Sequence, residues 1–183
     1  MAIQPWSILT SRIAFESPWH TIRQDRVRLP DGLEVNDYFV SVKPDIAMVF
    51  PVTVTNEVVL VRQYKHGVGK IVIELPAGTF ANETPEHAAR RELLEETGCA
   101  CGTLRPLGQA HQDVTRNTNA IHMFLATGCE QEQRPDLKDL ELSAGIDLLT
   151  VPLSRVLSMV RSGEITALCS VATILRALDA LAP

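Results

Sequence analysis

The feature that most constrains this chain is a predicted helix with three glutamates on one side of its last two turns. Thr84 is a typical N-cap, strong helix formers follow it, and Gly98 ends the pattern. At about 100° per residue, Glu92, Glu95 and Glu96 fall within about 100° of arc. They repel one another, and the helix dipole disfavours anions at this end. Two interpretations stay open: a solvated acidic face, or a site for Mg²⁺ or Mn²⁺, which favour carboxylate oxygens.

Extended segments lie on both sides of this helix. A Pro-Asp-Gly turn at residues 30–32 joins two strands of a predicted hairpin, and Thr55-Asn56 joins the next pair. We predict short extended segments over residues 1–45, which include a strand from 27 to the turn at 30–32 and a returning strand over 37–42. Further strands are predicted over 46–54, 57–63, 71–75, 102–110, 120–126 and 146–151, and helices over 84–98, 153–160 and 171–181. This order predicts a mixed α/β sandwich. We divide it into N-terminal strands, residues 1–45, and a main domain, residues 46–183.

Composition excludes several classes of protein. The 183 residues carry a net charge of −5, which argues against a nucleic-acid-coating protein. The apolar stretches are shorter than the roughly 20 residues of a membrane helix, and we see no signal peptide. The cysteines lack metal-ligand spacing, so we interpret them as reduced thiols and expect a cytoplasmic protein with no membrane or nucleic-acid partner. They are Cys99, Cys101, Cys129 and Cys169.

The segment from Gly78 to Cys99 carries a denser pattern. Glu83 precedes Arg91 by eight positions, and residues 91–98 read Arg-Glu-Leu-Leu-Glu-Glu-Thr-Gly. This pattern resembles the signature of the Nudix hydrolases: Gly, five residues, Glu, seven residues, then Arg-Glu-aliphatic-any-Glu-Glu-any-Gly-aliphatic. The departures are a spacer of four residues between Gly78 and Glu83, and Cys99 at the aliphatic position. The resemblance implies a Nudix-type α/β/α sandwich with a mixed sheet.

The resemblance extends over most of residues 18–181. Residues 61–65 (Val-Arg-Gln-Tyr-Lys) and 74–78 (Glu-Leu-Pro-Ala-Gly) look like the ADP-ribose pyrophosphatase branch, as does the hairpin at 29–32. In that branch the N-terminal strands form a small antiparallel sheet that often pairs with a partner subunit, so we expect a homodimer. The branch usually has a proline after the signature, where this chain has Thr115.

The resemblance also implies a reaction and a metal site. Water would attack a phosphorus of a nucleoside diphosphate derivative, and Mg²⁺ (or Mn²⁺) would neutralise the diphosphate and acidify the water. The first-choice ligands are Glu92 and Glu96, with Glu95 close by and the Ala77 carbonyl completing the set. Arg91 is expected to orient Glu83 or Glu95 rather than to touch substrate.

A late-loop glutamate often acts as the general base in this branch. The candidates here are Glu141 and Asp139, and Glu141 is preferred because its side chain reaches further. The most directly aligned position holds Ala144.

Several residues are candidates for substrate binding, each with a structural alternative. Arg62 could hold a phosphate or be a surface charge, and Trp19 and Tyr38 could stack on a base or fill an interface between sheets. By resemblance or position, the candidates also include Glu74, Arg116 and Asn119. We favour structural roles for His111 and His122.

Three functions remain open at this stage. The leading one is a metal-dependent pyrophosphohydrolase for ADP-ribose or a related nucleoside diphosphate sugar. The others are a Nudix hydrolase for a dinucleoside polyphosphate or dinucleotide cofactor, and a nucleotide sensor without turnover. The intact carboxylates favour an enzyme, because a binding protein has no need to maintain their repulsion.

Overall fold

The computed structural model describes residues 2–137, 143 and 145–182. The chain forms two compact units. The first contains the chain as far as Pro44 together with His111–Asn119, and the second contains Asp45–Ala110 and the chain from Ala120 onward.

The first unit is a three-stranded antiparallel sheet in the order β1-β2-β3. Its strands are β1 (Ser7–Ser17), β2 (His20–Arg28) and β3 (Glu34–Val42). The predicted hairpin is confirmed, with Gly32 at a φ of 92° in its turn. The expectation of only short segments is wrong for β1. It runs for 11 residues because two register shifts keep it paired with β2.

A buried carboxylate ties β1 and β2 together within this sheet. Asp25 is only 2% exposed, and it accepts hydrogen bonds from the Ser11 hydroxyl and from Arg23 Nη2 at 2.8 Å. Burial raises the pKa of Asp25, but the bonds from Arg23 and Ser11 outweigh it, so the pKa lies below its ordinary value. The ionised form is therefore the one that the fold stabilises.

We expect Asp25→Asn to lower the free energy of unfolding by about 1–3 kcal/mol at neutral pH, because Arg23 loses its anionic partner. The contribution is complete above the carboxyl's unfolded pKa and disappears as pH falls through the lowered folded pKa. Urea denaturation at a series of pH values measures both effects, with the exposed Asp37→Asn as the control. Equal losses in the two variants would contradict the assignment.

The second unit is a seven-stranded mixed sheet. The order of its main path is β10-β5-β4-β9-β8, with β6 on β5 and β7 on β4. The β4–β9 pair is parallel, and the other pairs are antiparallel. The strands are β4 (Asp45–Thr53), β5 (Glu57–Lys65), β6 (Lys70–Glu74), β7 (Ala77–Phe80), β8 (Cys99–Ala110), β9 (Ile121–Gln131) and β10 (Ile146–Pro152).

Helices cover both faces of this sheet, so the predicted α/β/α sandwich is confirmed. Along β4, Ala47 and Val49 pack in one apolar cluster with α1 (Pro85–Thr97), whereas Met48 and Phe50 pack in the other. Successive side chains of a strand point to opposite faces. The cluster that contains Met48 and Phe50 also contains residues of α2 (Leu153–Ser162) and α3 (Leu168–Leu181). None of the described helices combines the length and the hydropathy that a membrane span requires.

Two strands differ from the sequence prediction. We expected residues 76–78 to end a strand, but Ala77–Phe80 forms β7 and pairs with β4 residues 45–48. The proline and glycine there resemble a turn signal, and only the distant partner strand makes the segment extended. Similarly, β8 begins at Cys99 rather than near Gly102, because pairing with the end of β9 overrides local propensity.

Candidate active site

Local sequence signals set the start and end of α1, which carries the carboxylates. The Thr84 hydroxyl accepts a hydrogen bond from the His87 N–H at 3.2 Å, and Gly98 ends the helix in the left-handed conformation at a φ of 72°. Two of the glutamates face inward, since Glu92 is 7% exposed and Glu96 is 4% exposed. Burying carboxylates is costly without compensating charge or hydrogen bonds. The face is therefore largely buried, unlike the fully solvated acidic stripe that was one of the two interpretations, and its use as a metal site stays a prediction.

Strand β7 meets this face through two close contacts. The Ala77 N–H donates to Glu96 Oε2 at 2.9 Å. At the next residue, a Cβ on Gly78 would lie 2.0 Å from both Cδ and Oε1 of Glu92. A side chain at this position would therefore have to displace the Glu92 carboxylate. Ala77 thus lies beside Glu96, and the use of its carbonyl as a metal ligand stays a prediction.

Arg91 joins three of the carboxylates. Its Nη1 donates to Glu92 Oε1 at 2.6 Å and to Glu95 Oε2 at 3.0 Å. Its Nη2 donates to Glu83 Oε1 at 2.7 Å and to the Thr79 carbonyl at 3.3 Å. The guanidinium therefore orients the signature glutamates within the protein.

The Arg91 contacts strongly perturb the Glu83 carboxyl group. Hydrogen bonds from Arg91, and then from His87, lower the pKa of Glu83 to about 2. The bond to Glu83 likewise raises the pKa of Arg91 above its ordinary value. The stability that this pair contributes is complete above the ordinary carboxyl pKa and is lost only as pH falls towards 2. His87 was not identified from the sequence, although its position four residues after Glu83 was a usable signal.

The C-terminal end of α1 is held by the chain that follows β9. The N–H groups of Glu132 and Gln133 donate to the Gly98 carbonyl at 2.9 and 3.2 Å, and the Asp136 N–H donates to the Glu95 carbonyl at 2.8 Å. A Cβ on Gly98 would lie 2.1 Å from the Gln133 carbonyl oxygen. These bonds satisfy carbonyls that a helix end leaves without partners. No sequence signal indicated this contact.

The donor set fits a hard divalent cation. Glu92, Glu95 and Glu96 supply carboxylate oxygens, and Arg91 supplies one positive charge against them. Among residues 2–137, 143 and 145–182, no three His, Cys, Asp or Glu side chains are arranged to hold an ion as they stand. Binding a cation would therefore require rotation of these glutamate side chains.

The predicted substrate residues are divided between the two units. In the second unit, Arg62 is paired with Asp147 at 2.6 Å and Glu74 with Lys65 at 3.1 Å. In the first unit, Trp19 is 78% exposed in the turn between β1 and β2. Their roles stay predictions, and the base candidates Glu141 and Asp139, with the aligned Ala144, lie outside the described residues.

Arg116 lies in a loop fixed to β3 within the first unit. Its carbonyl accepts from the Ser41 N–H at 2.7 Å, and the Tyr38 hydroxyl donates to the Thr115 carbonyl at 2.6 Å. His111 Nδ1 donates to the Asn119 carbonyl at 3.2 Å. The loop is thus held by hydrogen bonds to β3 and by a hydrogen bond between two of its own residues.

His122 and Tyr38 both have structural partners. In the second unit, His122 Nε2 lies 3.0 Å from Asp45 Oδ2. In the first, the ring of Tyr38 packs edge-on against Trp6. These contacts agree with the structural interpretation of His122 and give Tyr38 a packing role.

We expect Arg91→Lys to lower kcat by about 10- to 100-fold, because a lysine cannot donate to three carboxylates in a fixed fork. Steady-state kinetics with a nucleoside diphosphate sugar measures the loss. Arg90→Lys is the matched control, since Arg90 is the preceding residue and its Nη1 donates to Cys101 instead. Equal activity of the two variants would refute the orienting role.

Comparison with known proteins covers nearly the whole chain. The model of the NUDIX domain matches residues 42–157, and the nucleoside diphosphate sugar hydrolase N-terminal domain matches residues 6–41. A structure described as ADP compounds hydrolase superposes with a TM-score of 0.85 at 18% identity, over 99% of this chain and 96% of that chain. That likeness supports the fold.

Among relatives, GDP-mannose pyrophosphatase of Salmonella typhimurium is 36% identical over 114 residues, which are 59% of each chain. ADP-ribose pyrophosphatase of Mycobacterium tuberculosis is 28% identical over 96% of this chain and 84% of its own length. The methanol dehydrogenase activator of Bacillus methanolicus is 28% identical over 79% of this chain and 77% of its own. The chain thus matches less than two thirds of the length of the GDP-mannose pyrophosphatase. With the Arg-Glu-x-x-Glu-Glu-x-Gly core at residues 91–98 and a NUDIX domain over residues 42–157, the chain belongs to the Nudix family.

Proposed function

We propose that this protein is a divalent-metal-dependent pyrophosphohydrolase that cleaves the diphosphate of ADP-ribose or a related nucleoside diphosphate sugar. The observation that carries the proposal is the pairing of Glu92 and Glu95 with Arg91, together with the contact of Glu96 with the Ala77 N–H of β7. Relatives named for ADP-ribose and GDP-mannose share the chemical class of a nucleoside diphosphate joined to a sugar. The match to the sugar hydrolase N-terminal domain supports the same class.

In this proposal the residues of the Nudix signature have distinct roles. Glu92 and Glu96 would hold Mg²⁺ or Mn²⁺, with Glu95 beside them. When bound, the metal supplies charge neutralisation of the diphosphate and acidifies a water molecule. Arg91 keeps the carboxylates at their positions, and Glu83 anchors Arg91 from the other side. Proton removal from water by Glu141 or Asp139 stays a prediction.

A turnover assay against nucleoside diphosphate derivatives tests the proposal. The panel contains ADP-ribose, GDP-mannose, a dinucleoside polyphosphate and a dinucleotide cofactor, each with and without Mg²⁺. We expect nucleoside monophosphate and sugar phosphate from the first two, only with metal. If only the dinucleoside polyphosphate or the dinucleotide cofactor is hydrolysed, the proposed substrate class is wrong. If the compounds bind but none is hydrolysed, the protein is a nucleotide sensor and not an enzyme.

A regulatory function is the second candidate. The observation that favours it is the relative named as a methanol dehydrogenase activator, which matches 79% of this chain. An activator that works through its own hydrolysis would still turn over in the panel. An activator that works only by binding would show saturation in calorimetry without product.

We also propose a homodimer that contacts through the three-stranded sheet of the first unit. The edge strand β1 exposes Ile8, Ile13 and Phe15 by 61%, 51% and 55%. A long, apolar and unpaired edge promotes association with another chain.

We expect light scattering to give the mass of a dimer, and Ile13→Asp to shift it towards the monomer because an exposed apolar side chain of that edge is replaced by a charge. Thr10→Asp, at an exposed polar position of the same strand, is the control. A wild-type protein that stays monomeric at high micromolar concentration would overturn the proposal.

We further propose a cytoplasmic location. All four cysteines are free thiols, and free thiols are typical of proteins kept in a reducing compartment. Fractionation of cells that express the full chain tests this.

A further inference from the structure

Three of the four cysteines meet beneath α1, where β8 and β9 pair. Cys101 on β8 lies directly opposite Cys129 on β9, and Cys99 lies opposite Gln131. Cys99 and Cys129 belong to the apolar cluster that α1 covers, and Cys101 packs against that cluster. The three thiols therefore share one face of the sheet.

Strand geometry distinguishes among the possible thiol pairs. Directly opposed residues have Cα atoms about 4.5–5.5 Å apart, inside the range of about 4.4–6.8 Å that a disulfide requires. Cys99 and Cys129 are diagonal neighbours, at about 7–8 Å, which is too far. Cys99 and Cys101 lie two residues apart on one strand, with parallel side chains about 6.6 Å apart. Cys101 with Cys129 is the pair that can be joined without moving the strands apart.

The backbone beside this pair allows the two strands to approach. A disulfide needs Cβ atoms about 3.5–4.5 Å apart, slightly closer than the 4.5–5.5 Å of an ordinary opposed pair. Gly102 follows Cys101, and Gly128 precedes Cys129. A Cβ on Gly102 would meet nothing closer than 3.7 Å. Small residues on both strands thus leave room for the adjustment.

The two thiols differ in access to solvent. Cys129 is 1% exposed, whereas Cys101 is only partly buried, and Arg90 Nη1 lies 3.3 Å from its Sγ. Burial, with a smaller effect of the neighbouring Cys101 and Cys99, raises the pKa of Cys129 to about 12. Burial also raises the pKa of Cys101, although Arg90 opposes the rise. Cys101 is therefore the thiol that an oxidant reaches first.

We propose that Cys101 and Cys129 form a dithiol site that hydroperoxides oxidise to an internal disulfide. The Cys101 thiolate attacks a peroxide oxygen, the O–O bond breaks, and hydroxide leaves, so Cys101 becomes a sulfenic acid. The Cys129 sulfur then attacks the Cys101 sulfur, the S–O bond breaks, and water leaves. Overall, two thiols and one hydrogen peroxide give one disulfide and two waters, and the peroxide is reduced by the two electrons that the thiols lose.

This site differs from the carboxylate site, although both lie along α1. Arg90 donates to the carbonyl and the sulfur of Cys101, and it precedes Arg91 in the helix. Forming the disulfide draws the Cys101 sulfur towards β9 and away from Arg90. Formation of the disulfide can therefore be measured without substrate or metal, independently of hydrolysis.

The test counts thiols in the denatured protein after the folded full-length chain has been treated with excess hydrogen peroxide. A mildly alkaline buffer raises the fraction of thiolate, which is the reacting form. We expect the count to fall from four to two in the wild type and to recover with dithiothreitol. Peptide mapping should join the peptide of Cys101 to that of Cys129.

Matched variants make the result decisive. Cys101→Ser and Cys129→Ala should each prevent the paired loss, whereas Cys99→Ala and Cys169→Ala should retain it. Circular dichroism confirms folding first, and the partly exposed Cys101→Ser carries the test if Cys129→Ala fails to fold. The proposal is wrong if the wild type keeps four thiols, if mapping joins Cys99 or Cys169, or if Cys101→Ser still loses two thiols reversibly.

Discussion

Replacing Glu96 by glutamine is expected to lower turnover by at least about 10³-fold while the protein keeps its fold. Losing a ligand removes several kcal/mol of metal stabilisation of the transition state, and each 1.4 kcal/mol is about tenfold in rate. The amide oxygen of glutamine can still accept the Ala77 N–H that now bonds Glu96. Removing one charge also relieves a few tenths of a kcal/mol of repulsion for each pair. The melting temperature without metal should therefore be unchanged or higher.

A rate assay and thermal melting, both with and without Mg²⁺, measure the two effects. Glu86→Gln is the control, because Glu86 is an exposed acid in the first turn of the same helix. Near-normal turnover of Glu96→Gln would exclude it as a ligand. A large drop in melting temperature would instead show that the carboxylate holds the fold.

Replacing Gly78 by alanine is expected to damage both stability and activity. The new Cβ would lie 2.0 Å from the Glu92 carboxylate, so either β7 or the carboxylate has to move. Because the Glu92 carboxylate is the end of a flexible side chain and can turn aside, we expect a loss of unfolding free energy of at most about 1–3 kcal/mol, the range for overpacked cores. A displacement of about 1 Å at a reacting group can cost about 10²-fold in rate. Kinetics at saturating metal and urea denaturation measure these losses.

Gly67→Ala is the matched control. A Cβ on Gly67 meets nothing within 4 Å, and neither Gly67 nor Gly78 has a left-handed backbone. Any general cost of adding a methyl group therefore appears in both variants. If the two variants lose equal stability and equal activity, the close approach of Gly78 to Glu92 is not important for function.

Local signals were sufficient to predict the helix that carries the site. Thr84 and Gly98 set its start and end through their own side chain and backbone, and the spacing of residues 83–98 identified the family. These features depend on residues within a few positions of one another. The fold class followed from the order of such elements.

Features that depend on distant partners were not predicted. Strand β7 exists because Ala77–Phe80 pairs with β4, some thirty residues earlier in the chain. The bond from the Asp136 N–H to the Glu95 carbonyl uses backbone atoms that any residue other than proline supplies. The closeness of Gly78 to Glu92 likewise depends on how β7 meets α1. The types of the residues involved do not indicate either contact.

The parallel pairing of β4 with β9 determines when this protein can assemble. Ile46 pairs with Ile121, so residues 47–120, including all of α1, lie between these two paired positions. Closing so long a loop costs entropy before the contact is gained, and such topologies fold slowly. During synthesis, β4 can pair with β5 and β7, but its parallel partner is absent until β9 has been made. The carboxylate helix is therefore complete, with its charges unsupported by a finished sheet, for the whole interval in which residues 98–121 are added. The carboxylate helix is therefore made early and gains its complete sheet late.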